Sequence, residues 1–87
     1  MTDTGRQWYA VATRPRMESA ARDNLERQGY EVCLPEIRVR KRRGGRWQSV
    51  VEPLFPGYLF VALDLESDNT APIKSTVGVR GLVRFGL

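Results

Sequence analysis

The most concentrated chemistry in this 87-residue chain is cationic. Arg38 to Arg46, RVRKRRGGR, carries six basic side chains and no acid. The whole chain has 14 basic and 10 acidic residues, so the remainder holds eight basic against ten acidic, a net of −2. The net charge of +4 therefore belongs to one local element, which can meet an anion, most simply a nucleic-acid backbone. Arg40, Arg42 and Arg43 are the candidate phosphate contacts, and Trp47 beside them can stack or pack. The competing reading is a solvated edge hairpin whose arginines block sheet-to-sheet aggregation. A second polar set is Arg14 with Asn24, Arg27 and Gln28, residue types that read base edges and also line any exposed helix face.

The groups needed for catalysis are missing. There is no histidine, and Ser19, Ser49, Ser67 and Ser75 have no candidate base. The single cysteine, Cys33, sits in YEVCLP among apolar neighbours and reads as a core residue. Asp64, Glu66 and Asp68 lack the glycine and bidentate glutamate of a calcium loop and read as a solvated connection. RRGGR lacks the spacing of a phosphate-cradling loop. No enzyme, cofactor, metal or small-molecule substrate is expected. With no signal peptide and no apolar run of membrane-spanning length, the expected location is cytoplasmic and no membrane partner is expected.

The elements that position these groups are legible as alternation and helical spacing. QWYAVAT, Gln7 to Thr13, is an aromatic, alternating strand. PRMESAARDNLERQGY reads as a helix with an apolar stripe of Met17, Ala20, Ala21 and Leu25, ended by Gly29. YEVCLPEIRVRK is a second strand interrupted by Pro35, RGGR a hairpin tip, and RWQSVVEP the third strand. GYLFVAL is the fourth, a short helix spans Ala71 to Thr76, and GLVRF, Gly81 to Phe85, is the last strand. Residues 1–87 read as a single α+β domain of order β-α-β-β-β-α-β, a mostly antiparallel sheet with helices packed against it and a protruding basic hairpin.

The fourth strand poses the sharpest question. Leu59, Val61 and Leu63 fall on one face, and Tyr58, Phe60 and Ala62 on the other. The Met17/Leu25 stripe and Ile73 can cover one face, and nothing else in the chain can cover the second. Leu59, Val61 and Leu63 are core. Phe55, Tyr58 and Phe60, with Phe85, divide between core and an interface, and an exposed apolar patch marks an interface.

Three blocks carry a resemblance: QWYAV near the start, EPLFPGYLFV in the middle and GVRGLVRFG at the end. Together they make the chain resemble the N-terminal domain of the NusG family of transcription elongation factors, over Trp8 to Gly86. LERQGYEVCLPEI and VRFG lean toward the RfaH-type antiterminator paralogues. The resemblance implies an α/β sandwich whose apolar depression docks on the β′ clamp helices of RNA polymerase, here through Phe55, Pro56, Tyr58, Phe60 and Phe85. It implies a second contact, to the β gate loop, through a segment that is His-Thr-Thr-Thr in RfaH-like proteins and Asn69-Thr70-Ala71-Pro72 here, where only Thr70 matches. It implies recognition of the non-template DNA strand by Arg14, Asn24, Arg27, Gln28, Thr76 and Gly78, with Val77 where RfaH has arginine and Asn24 where it has histidine. Family members add a linker and a C-terminal KOW barrel, neither of which is in these 87 residues. The function expected is suppression of pausing by polymerase and DNA binding. The alternatives are a free-standing single-stranded nucleic-acid binder using the arginine hairpin and a subunit that dimerises through the apolar face.

Overall fold

The computed structural model describes residues 5–83. Its elements run β1 (Gln7–Thr13), α1 (Glu18–Arg27), β2 (Glu31–Cys33), β3 (Glu36–Arg43), β4 (Arg46–Pro53), β5 (Tyr58–Leu63), α2 (Ala71–Lys74) and β6 (Val79–Leu82). The α+β class and antiparallel pairing agree with the sequence reading. The expected second strand divides in two. Leu34 and Pro35 break it, so β2 joins a four-stranded sheet of order β2-β5-β1-β6 while β3 leaves to pair only with β4. Pro35 has no N–H to extend the ladder, and its carbonyl instead accepts from the Leu54 N–H at 2.8 Å, closing the base of the ribbon.

The β3–β4 ribbon turns at Gly44 and Gly45, whose φ values of 58° and 77° are those of a two-residue hairpin turn. Eight residues a side make an arm roughly 25 Å long. The molecule is accordingly elongated, 52 × 29 × 28 Å, with a radius of gyration of 15.1 Å where a compact chain of this length has about 12 Å.

The core lies on one side of the main sheet. Val11, Leu59, Val61 and Leu63 meet Ala21 and Leu25 of α1, Ile73 of α2 and Val79, with Tyr9, Tyr30, Val32, Leu34 and Leu82 around them. The stripe of α1 differs from expectation. Glu18, Ala21 and Leu25 are its buried residues, whereas Ala20 is exposed and Met17 half-buried. Glu18 can face inward because its Oε2 accepts the Gly57 N–H at 2.8 Å, tying the start of α1 to the turn before β5. The short helix ends at Lys74 rather than Thr76, and the last strand begins at Val79 rather than Gly81. The expected strand residue and docking candidate Phe85 lies outside the described residues.

Cys33 is exposed rather than in the core. In β2 the inward position belongs to Val32, which pairs with Val61, and Cys33 pairs with Phe60 on the other face. Asp64 Oδ1 accepts from the Glu66 N–H at 3.0 Å and Asp68 Oδ2 from the Asp64 N–H at 2.8 Å, so this acidic cluster caps its own turn.

Candidate docking face and polar cleft

Directly opposed residues of an antiparallel pair share a face. The outer face of the main sheet can therefore be read rung by rung. Trp8 lies beside Ala62 and Glu31, Ala10 beside Phe60 and Cys33, and Ala12 beside Tyr58 and Gly81. Alanine and glycine between aromatics leave a shallow depression with Tyr58, Phe60 and Trp8 along it. Phe55, from the turn before β5, packs edge-on against Phe60, with ring centroids 5.7 Å apart at 83°. Trp8 is 53% exposed, Phe55 47% and Tyr58 45%, and Pro56 is also exposed. Both helices are spent on the opposite face, where their buried residues join the core. At one end the depression closes. The Arg6 guanidinium donates to the Ala62 carbonyl at 3.4 Å and pairs with Glu31 at 3.2 Å, and Ala62 is buried.

Trp8, Ala10 and Ala12 belong to this face although sequence reasoning did not place them there. The signal was the period of two in β1, which puts Tyr9, Val11 and Thr13 inward and these three outward.

The second candidate group is brought together at one end of α1. A cleft of about 340 Å³ is lined by Asn24, Arg27, Gln28, Ser75, Thr76 and Val77. Asn24 Nδ2 donates to the Val77 carbonyl at 3.1 Å, and Arg27 Nη1 donates to Asn24 Oδ1 at 2.8 Å. Gln28 Nε2 donates to Thr76 Oγ1 at 2.7 Å, and that hydroxyl donates to the Pro72 carbonyl at 2.8 Å. The amide and guanidinium groups are thus held by one another, with Val77 beside them at 68% exposure. Arg14 is exposed but does not line this cleft.

Gly78 sits under the cleft rather than in it. It is buried with φ +96°, its carbonyl accepts from the Arg14 N–H at 2.8 Å, and a Cβ there would come within 3.3 Å of the Ala21 backbone nitrogen. Glycine is required for both the dihedral and the close helix approach. Gly78→Ala is expected to cost about 1–3 kcal/mol, measured as a lowered urea midpoint with unchanged slope.

Thr70 stands just before α2, next to Asn69, whose carbonyl accepts from the Tyr30 hydroxyl at 2.8 Å. Burial, and secondarily the Asp68 carboxylate, push the Tyr30 pKa above its ordinary value, so this donor keeps its proton at neutral pH.

The ribbon separates its cations by face. Arg38, Arg40 and Arg42 oppose Val51, Ser49 and Trp47 on one side, and the Arg40 guanidinium lies 5.7 Å from the centre of the Trp47 ring. Arg43 falls on the other side, opposite Arg46 at the tip and with Lys41, which is paired with Glu52.

These surfaces define an α+β sandwich with one aromatic sheet face uncovered, a polar cleft at a helix end and a cationic arm. The chain belongs to the NusG family. A family profile described as "Transcription termination factor nusG" matches residues 6–86. The chain is 36% identical over 96 residues to the transcription termination/antitermination protein NusG of Thermus thermophilus, covering 93% of this chain and 52% of that one. It is 30% identical over 87 residues to the protein of the same name from Staphylococcus aureus strain Mu50, covering 90% and 48%. The same 30% identity is found with the NusG protein of Staphylococcus epidermidis. The chain therefore spans about half the length of the curated relatives it matches.

Proposed function

We propose that these residues form the polymerase-docking domain of a transcription elongation and antitermination factor, working in the cytoplasm with no catalytic step of its own. The observation that carries this is the uncovered aromatic face, Phe55, Pro56, Tyr58 and Phe60 with Trp8 beside them. An apolar, aromatic depression on a small domain suits a helical partner surface. In this reading the partner is the β′ clamp-helix pair of RNA polymerase. The Asn69–Pro72 segment, with Thr70, reaches the β gate loop across the cleft. A rigid body touching both lobes binds the closed clamp better than the open one, and that differential affinity shortens pauses that require opening.

The polar cleft gives the same domain a reader of the non-template strand. Asn24, Arg27, Gln28 and Thr76 present amide, guanidinium and hydroxyl groups to an unpaired base, with Val77 as an apolar surface beside it. This selective reading fits the RfaH-like branch of the family. A single-round elongation assay on a paused polymerase tests it. Adding the domain is expected to shorten the pause on some non-template sequences and not on others. Equal pause lifetimes with and without the domain on every template would contradict the proposal.

The arm supports a second reading, sequence-independent binding to single strands, because Arg38, Arg40, Arg42 and Trp47 share one face of it. On that reading Arg40→Gln with Arg42→Gln weakens binding to a labelled oligonucleotide. It also reduces the log–log salt slope by roughly 0.7 per arginine. Arg43→Gln, on the other face, changes it less. Fluorescence anisotropy across a salt series reads both quantities.

A further inference from the structure

The docking face runs at one end into a cavity of about 450 Å³, whose walls include Ala12, Pro15, Pro56 and Tyr58. Two guanidinium-bearing residues, Arg16 and Arg80, also line it, and each is set there by an irregularity of the backbone. Arg16 has φ +62° and is the only non-glycine residue at positive φ among the described residues. That conformation is disfavoured for an arginine and persists where the surroundings hold it. Arg80 stands at a register shift. Gly81 pairs with Ala12 and Val79 with Thr13, leaving Arg80 between them without an opposite residue on β1. Such bulges re-aim a side chain at the edge of a site. Neither guanidinium has a hydrogen-bond or ion-pair partner among the described residues. Thr13 also lines the cavity. It is 3% exposed, and its Oγ1 is the one buried side-chain polar atom without a hydrogen-bond partner among the described residues.

We infer that this cavity receives a carboxylate side chain of the protein partner that covers the aromatic face, held between Arg16 and Arg80; the inference rests on the docking reading above. The chemistry favours one carboxylate over a run of phosphates. Glu18 also lines the cavity, so the three charged residues sum to +1, which matches a single carboxylate and falls short of the repeated charges that successive phosphodiesters bring. The walls are mostly apolar, and Ala12, Tyr58 and Arg80 also line the neighbouring groove that continues over Gly81 and Leu82. The cavity and the aromatic face therefore read as one surface, apolar in its middle and cationic at one end. That complements a helix with an acidic residue beside its apolar stripe. Guanidinium pairs fix such a carboxylate in orientation and so set register on the partner.

The test uses core RNA polymerase and a fluorescently labelled chain over a salt series. Arg16→Gln with Arg80→Gln is expected to weaken binding on the order of tenfold and to flatten its salt dependence. The thermal midpoint should not change, since both residues are exposed. The double lysine variant should fall between. Unchanged affinity and salt dependence in the double glutamine variant would overturn the inference, whatever Tyr58→Ala does. A loss confined to binding of a naked oligonucleotide would also overturn it, and would make the cavity a phosphate site. Conversely, if Tyr58→Ala binds normally while the arginine variant is defective, the aromatic docking reading fails, and with it the placement of the carboxylate on a partner that covers that face.

Discussion

Tyr58→Ala is expected to abolish docking on RNA polymerase and leave the fold standing. Tyr58 is 45% exposed on the outer sheet face, and none of the core cluster depends on it. Its rung partner is Ala12, so removing the ring leaves no cavity in the sheet interior. A stability change under about 1 kcal/mol is expected for such a position. The binding loss is expected to be larger. A central aromatic anchor in an interface is worth about 2 kcal/mol or more, a loss of roughly thirtyfold or greater in affinity. Phe60→Ala is a less clean variant. It also removes the edge-on partner of Phe55, so it alters the face as well as the contact. A pull-down on core polymerase, beside a thermal melt of the same samples, checks both halves.

One position along, Leu59→Ala is expected to do the reverse. Leu59 is fully buried, pairs with Val11 across the sheet and packs in the same cluster as Ala21 and Leu25 of α1. Truncating a buried leucine costs about 2–5 kcal/mol. A chain of this length has about 4–13 kcal/mol of stability in total. The variant should therefore show a large drop in urea midpoint, up to complete unfolding near body temperature. The contrast between adjacent residues is a direct consequence of the period of two in β5. One strand serves the core with Leu59, Val61 and Leu63 and presents Tyr58 and Phe60 outward.

That alternation was readable in the sequence, as were the helix, the Gly44–Gly45 tip and the turn at Gly29, because each rests on local geometry. What stayed hidden depends on sheet membership. YEVCLPEIRVRK reads as one strand with a proline in it, and only the three-dimensional pairing shows β2 in the main sheet and β3 in the arm. Cys33 and Trp8 become outward-facing once β2 and β1 flank β5. Glu18 carries no sign of burial in the sequence, because its partner is a backbone N–H 39 residues away. Arg16 and Arg80 carry no motif at all. A positive φ and a one-residue register shift place them at the cavity, and neither leaves a trace in composition or period. By contrast, Asn24, Arg27, Gln28 and Thr76 do meet in one cleft, as helical spacing and a nearby turn allow.

The central claim is that the outer face of β1 and β5 is the polymerase-binding surface. An amide NMR titration with an isolated β′ clamp-helix fragment tests it most directly. The shifts should cluster on Trp8, Ala10, Ala12, Phe55, Tyr58 and Phe60, leaving the β3–β4 arm and the exposed side of α1 unmoved. Shifts concentrated on the arm or on α1, or a spectrum unchanged at saturating fragment, would contradict it.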